Sequence, residues 1–297
     1  MLAPPSKYGK WILQGPKHLE IEEQPPPADR VRLRLFCFPQ SGMGGWAFHG
    51  WTQWLPPEVE CMPVELPGRN SRIREPKPDN ATALAADTIE ALLPLLREKP
   101  YAVFGHSMGA WLLFEVLHEL RRQGEPLPVK AYFSAMRAPH LCGAEHDADQ
   151  VAPVLHDLSD ELFWQHFERR YGKNPDLASK PIQAFVLPLL RADFKMSETY
   201  ELPVDVLSAS EFLKLPFPIA ALGANGDSRY TADQLAEWAK HTSLTFSQHW
   251  FEGKGSIDPS YWGTPHRYAT DYPEPLVRFL CKDLLEILND PPKAQSG

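Results

Sequence analysis

Apolar and polar positions alternate at Val31-Arg32-Leu33-Arg34-Leu35 and then merge into the continuously apolar Phe36-Cys37-Phe38. That pattern predicts a strand entering a sheet covered on both faces. Val59 to Leu66, Tyr101 to Phe104, Val129 to Ala135, Pro218 to Gly223 and Leu244 to Phe251 read as further strands. Between them the apolar period lengthens to that of a helix. Asn80 to Arg97 carries Leu84, Ile89, Leu92, Leu93 and Leu96 on one side, with Asn80 as N-cap. Helices are also predicted around Trp46, Phe48, Trp51, Trp54 and Leu55, from Ser107 to about Arg122, over Ala232 to Lys240, and over Pro273 to Leu288. From about Gly143 to Leu207 the pattern changes. Leu155, Leu158, Leu162, Phe163 and Phe167, then Phe185, Val186, Leu189, Leu190 and Phe194, recur at helical spacing, and no strand fits. This stretch reads as a helical insert over the sheet. Strands alternating with helices through short links predict an α/β fold with a mostly parallel sheet. The expected organisation is an extension over 1–30, ending at Gln24-Pro25-Pro26-Pro27, and one domain over 31–297 with its insert at about 143–207.

Composition narrows the function. With 43% hydrophobic residues, the 297-residue chain can bury a sizeable core. A net charge of -8 argues against a nucleic-acid partner, which calls for a basic face. No run of about 18 apolar residues is present, so no membrane span is expected. Met1 to Lys10 lacks the apolar core of a secretory signal. The four cysteines, Cys37, Cys61, Cys142 and Cys281, are widely spaced and form no C-x-x-C, so they read as buried thiols in a reducing, cytoplasmic setting. Neither a metal site nor a cofactor is expected.

The chemistry centres on Gly105-His106-Ser107-Met108-Gly109. An apolar strand runs into Ser107 and a helix leaves it, the context of a nucleophile elbow. Gly105 and Gly109 leave room where a Cβ would clash, and Ser107 Oγ is pushed up at a helix N-terminus. A serine hydroxyl needs a general base, itself oriented by a carboxylate, and in such a fold the chain order is serine, acid, histidine. Asp227 follows the strand ending at Gly223, so the acid is assigned there, with a turn aspartate as the alternative. His266 lies in the loop after the last strand and is preferred over His249, which lies inside it. His241 closes a helix and reads as a charge partner for its C-terminus. His106 reads as a packing residue. The oxyanion donors are expected to be the backbone N–H of Met108 and that of Gln40 or Ser41, in the glycine-rich loop after the first strand.

Five blocks carry a resemblance to a known family. They are Leu35-Phe36-Cys37-Phe38-Pro39 with its glycine loop, Val64-Glu65-Leu66-Pro67-Gly68-Arg69, Phe104-Gly105-His106-Ser107-Met108-Gly109, Arg137-Ala138-Pro139-His140, and Leu187 to Phe194 followed by Glu198-Thr199-Tyr200. In this order they resemble the type II thioesterases of polyketide and non-ribosomal peptide synthesis, a group that includes the mammalian medium-chain fatty-acyl thioesterase. The resemblance implies an α/β-hydrolase fold with a helical lid. It implies hydrolysis of acyl or peptidyl thioesters on the phosphopantetheine arm of a carrier protein, in an editing role. Ser107 is then the nucleophile, Asp227 the acid and His266 the base. A carboxylesterase or lipase, an acyltransferase with the same triad, and a non-catalytic binder of carrier domains remain as alternatives. The chain departs from the family pattern in the long stretch Glu252 to Pro265 before its histidine. Phe163, Phe167, Phe185, Leu189 and Phe194 are candidates for an acyl channel. Arg69, Arg72, Arg74, Arg169, Arg170 and Lys173 are candidates for docking an acidic carrier protein.

Overall fold

A computed structural model describes residues 8–13, 28–152, 154–202, 206–208 and 211–290. Six strands form one fully parallel sheet: β1 (Leu33–Phe38), β2 (Val59–Pro63), β3 (Tyr101–His106), β4 (Ala131–Ser134), β7 (Ile219–Ala224) and β8 (Phe246–Phe251). Their order is β2-β1-β3-β4-β7-β8. The chain therefore steps outward from β1 to β2, then crosses back to β3. The C-terminal ends of β1 and β3 border the point where strand order reverses, and a crevice opens there. The short strands β5 (Leu207–Ser208) and β6 (Glu211–Phe212) pair antiparallel in a separate ribbon just past the insert. No strand was expected so close to the helical pattern.

Six of six residues in β1, β3 and β7 are buried, as continuously apolar strands between helical layers demand. Arg34 is buried within β1 because it pairs with Glu60 on β2 and bonds the Leu95 carbonyl. Helices α1 (Ala81–Glu98) and α2 (Met108–Arg122) cover the sheet beside β1 and β3. Asn80 caps α1, its side chain accepting from the Ala83 N–H at 2.9 Å. Beneath β4 and β7, Phe133 stacks on Trp238 with ring centroids 3.9 Å apart. The final helix α7 (Glu274–Asn289) packs Leu276, Val277, Leu280 and Leu284 into the same core. At the other edge, residues 8–13 lie antiparallel to the chain after β2. Leu13 N–H donates to Pro63 and Glu65 N–H to Trp11, while Trp11 and Ile12 enter the core. This segment covers an otherwise bare sheet edge.

The region from β4 to β7 contains α3 (Asp160–Tyr171) and α4 (Lys180–Glu198). They bury a small core of their own, including Phe163, Trp164, Leu187, Leu190 and Phe194. Phe185 does not join it and is 68% exposed, so it lines no channel.

Three other expectations are corrected. The helix around Trp46 to Leu55 is two single 3-10 turns, Gly45–Phe48 and Trp51–Gln53, because Gly50 between them turns left-handed at φ 84°. The helix α5 (Ala232–Ala236) tightens into a 3-10 turn over Glu237–His241. Among the cysteines only Cys37 is fully buried; all four are free thiols. Further on, α6 (Tyr268–Asp271) is one helical turn leading into α7.

His241 is not a charged helix partner. It is fully buried beside His140, and burial pushes its pKa down to about 3. His106 is depressed by burial to the same value. A histidine held neutral in the native state takes up its proton only on unfolding. The unfolded chain therefore binds more protons below about pH 6.5, and stability rises with pH across that window. The stabilisation is complete above about pH 6.5 and is lost as pH falls towards 3. Urea unfolding should show a loss of about 2 kcal/mol per such histidine between pH 7 and pH 5. His241→Gln should shrink the difference between the two pH values; an unchanged difference would show that His241 is not one of the groups responsible.

Candidate active site

Ser107 sits between β3 and α2 at φ 54° and ψ -124°, a conformation costly for any residue with a side chain. The flanking glycines make it possible. A Cβ on Gly105 would lie 2.5 Å from the Gly109 carbonyl oxygen, and one on Gly109 would lie 2.4 Å from that of Phe38. Ser107 Oγ caps no helical N–H, so it is free to face the cleft. The backbone is pinned by Ser107 N–H donating to Ser134 at the end of β4, at 2.8 Å.

Three loops from the C-terminal edge of the sheet meet here. His266 Nε2 lies 3.0 Å from Ser107 Oγ. His266 Nδ1 lies 2.8 Å from Asp227 Oδ2. Asp227 follows β7 through the left-handed Gly226, and its side chain is 1% exposed. Burial works to raise its pKa, but the attraction of His266 and hydrogen bonds from His266, Arg229 N–H and Tyr230 outweigh this and hold it below the usual carboxylate range. A carboxylate at Nδ1 makes that nitrogen the donor, leaving Nε2 to accept from the serine hydroxyl. The three residues singled out in the sequence are thus in one hydrogen-bonded line. His249 is not part of it: it stays on β8 with its ring 4.3 Å from Phe279.

His106 does more than pack. It is fully buried, with Nδ1 2.7 Å from Ser134 Oγ and Nε2 2.9 Å from the His266 carbonyl. A carbonyl only accepts, so Nε2 carries the hydrogen. The neutral ring then accepts at Nδ1 from Ser134, which lies 2.5 Å from Tyr268 Oη. One ordered chain, Tyr268 to Ser134 to His106 to His266, ties the histidine loop to the elbow strand. Sequence pattern held no signal for it, because the partners come from three separate elements.

The long stretch after β8 is folded rather than loose. Gly172 at the end of α3 bridges Gly263, Asn225 bonds Glu252, and Arg267 lies over Trp262. These contacts bring His266 back to Ser107 across 159 residues of chain.

Helix α2 begins at Met108, directly after Ser107, so the N–H groups of its first turn have no partner within the helix. Opposite, the loop after β1 brings Ser41 to the cleft wall and buries Gln40. Of the three residues expected to supply oxyanion donors, Ser41 lines the cleft with Ser107, Met108 follows the serine at the start of α2, and Gln40 is buried beside Ser41. Trp111, Tyr171 and Phe194 line the cleft. Charged groups lie among these rings, with Arg229 over Tyr171 and Arg137 over Trp111. Arg229 bonds both oxygens of Asp147, at 2.9 and 2.8 Å, and Arg170 bonds Asp149 at 2.8 Å. Arg170 is thus withdrawn from any docking surface. Arg69 and Arg72 are likewise buried, paired with Asp193 and Glu75. Arg74, Arg169 and Lys173 remain exposed. Among the described residues no cluster of three or more His, Cys, Asp or Glu side chains is placed to hold a metal, and no helix is long and apolar enough to cross a membrane.

Residues 33–255 match the thioesterase domain family. The chain is 31% identical over 262 residues to the gramicidin S biosynthesis protein GrsT of Aneurinibacillus migulanus, covering 87% of this chain and 91% of that protein. It is 32% identical over 228 residues to thioesterase PikA5 of Streptomyces venezuelae, covering 76% of each. Among solved structures it resembles the RedJ thioesterase of the prodiginine pathway of Streptomyces coelicolor, with a TM-score of 0.73 and 32% identity over 88% of this chain and 93% of that one.

Replacing His106 by leucine should leave the His266 carbonyl without its partner and the Ser134 hydroxyl with Tyr268 alone. The expected loss of stability is about 1–3 kcal/mol for the orphaned carbonyl, read from urea unfolding at pH 7. Ser107→Ala, which removes no cap, should change stability by less than about 1 kcal/mol. Equal stability of His106→Leu and wild type would show that the hydrogen-bond chain does not hold the loop.

Proposed function

The chain belongs to the thioesterase domain family and is a thioester hydrolase, and on that premise we propose that it frees acyl or peptidyl groups from the phosphopantetheine arm of a carrier protein, with Ser107, His266 and Asp227 as its catalytic triad. It has the α/β-hydrolase fold of its structural relatives. The organisation proposed is one such domain over 31–297, with an extension over 1–30 and an insert at about 143–207 serving as the lid.

The observation that carries the reading is the line Ser107 to His266 to Asp227, with gaps of 3.0 and 2.8 Å. His266 Nε2 takes the proton as Ser107 Oγ attacks the thioester carbonyl. The resulting oxyanion accepts from Met108 N–H and from the N–H of Gln40 or Ser41. Asp227, ionised because its pKa is held low, stabilises the imidazolium that forms. The intermediate collapses, the C–S bond breaks, and His266 returns its proton to the departing pantetheine sulfur. A water then enters. His266 removes its proton, the water oxygen attacks the acyl-serine, and the proton passes to Ser107 Oγ as the acid leaves. A thioester is more electrophilic than an amide, so the site needs less activation than a protease.

The partner is a carrier protein of a polyketide, non-ribosomal peptide or fatty-acid synthase, met in the reducing cytoplasm and served in an editing role. The exposed Arg74 and Lys173 supply its docking charge, Arg169 being paired with Asp149.

The test is a panel of acyl groups on a phosphopantetheinylated carrier protein, on coenzyme A and on p-nitrophenol. Faster turnover from the carrier is expected, and equal or better turnover of the oxygen esters would leave a general esterase. Ser107→Ala and His266→Ala should each lower kcat by about 10⁴-fold or more and to similar extents, because members of a triad fail as a unit. Wild-type rates in Ser107→Ala would remove the mechanism, and a dead His249→Ala beside an active His266→Ala would relocate the base.

A further inference from the structure

The loop that carries Gln40 and Ser41 is held from outside by the insert. Gly42, at φ 76°, directs its N–H to Asp193 Oδ2 on α4 at 2.7 Å. The same carboxylate meets Arg69 twice, at 3.0 and 2.8 Å, and Arg69 in turn donates to the Met43 carbonyl at 2.8 Å. Asp193 is 0% and Arg69 2% exposed, so both charges are desolvated and each is matched by the other. The turn between these anchors is short: Met43 N–H closes back on the Gln40 carbonyl at 3.1 Å. A shift of Gly42 therefore rotates the peptides of Gln40 and Ser41. Leu190, one turn before Asp193, sits where a Gly42 Cβ would fall, at 2.7 Å. On the far side Glu65 accepts from Gly45 N–H at 2.9 Å.

We infer that Asp193 and Arg69 are positioning residues for the oxyanion loop, acting through Gly42. The inference rests on Ser107 being the nucleophile. Asp193 neighbours Phe194, which lines the cleft, so one helix both walls the acyl site and orients the donors.

Two double variants separate orientation from charge burial. Arg69→Met/Asp193→Leu removes both charges and the acceptor for Gly42 N–H. Arg69→Met/Asp193→Asn removes both charges and keeps an acceptor oxygen. Hydrolysis of a short and a long acyl-coenzyme A, and the rate of fluorophosphonate labelling of Ser107, are measured for each. A misplacement of about 1 Å costs roughly 10²-fold, so the leucine double should lose that much kcat, equally for both acyl groups, with KM little changed. Labelling should slow in parallel, and the asparagine double should recover at least about tenfold of the kcat loss. Equal kcat in the two doubles, or a loss confined to one acyl length, would overturn the inference; the second result would make Asp193 only a wall of the acyl site. If the leucine double does not fold, Asp193→Glu keeps the ion pair but carries the carboxylate past Gly42. It should lower kcat at an unchanged melting temperature, and wild-type kcat there would equally overturn the inference. A wild-type protein that neither hydrolyses the thioesters nor labels would instead refute the role of Ser107 itself.

Discussion

The strained turn at Ser107 is the constraint on which the rest depends. Its φ of 54° is tolerated because Gly105 and Gly109 let the start of α2 sit against the ends of β1 and β3 at distances no side chain allows. That approach sets the serine hydroxyl and the first N–H groups of α2 beside the crevice where strand order reverses. The loops after β1, β7 and β8 then need only reach one point. The sheet supplies the rigidity, with β3 buried on both faces between β1 and β4.

Precision at that point comes from polar groups withdrawn from water. A buried donor or acceptor left unpaired is expensive, so a paired one holds its geometry firmly. His106 ties the His266 loop to β3, and Asp227 is held by His266, Arg229 and Tyr230. Asp193 and Arg69 hold the loop opposite. The insert contributes to this framework as well as covering the cleft. Its ion pairs around Asp147 and Asp149 also set charged groups among the aromatic rings that line the cleft.

Much of this was legible in the sequence. Strands buried on both faces write continuous apolar runs, and α1 announced its start through Asn80. Strand-end position and chain order single out Ser107, Asp227 and His266, whose side chains the structure sets in one hydrogen-bonded line, and the family resemblance agrees with the relatives found. Features that depend on residues distant in sequence were not readable. Arg69, Arg72 and Arg170 look like surface charge until Asp193, Glu75 and Asp149 come to meet them. His241 at a helix end looks like a cation until burial against His140 makes it neutral. The helix expected after Trp46 failed on one residue, Gly50, whose left-handed backbone ends the first turn. The separation of 39 positions between Asp227 and His266 looks too long for a hydrogen-bonded pair until the bridge from Gly172 to Gly263 and the bond from Asn225 to Glu252 show how the connection folds back.

In the proposed mechanism the acyl group passes through Ser107. The most direct measurement is mass spectrometry of the protein quenched within milliseconds of mixing with an acyl-loaded carrier protein. A transient mass increase equal to the acyl group is expected, located on the peptide containing Ser107 and absent from Ser107→Ala. Turnover without any acyl adduct, or with an adduct on another residue, would contradict the mechanism.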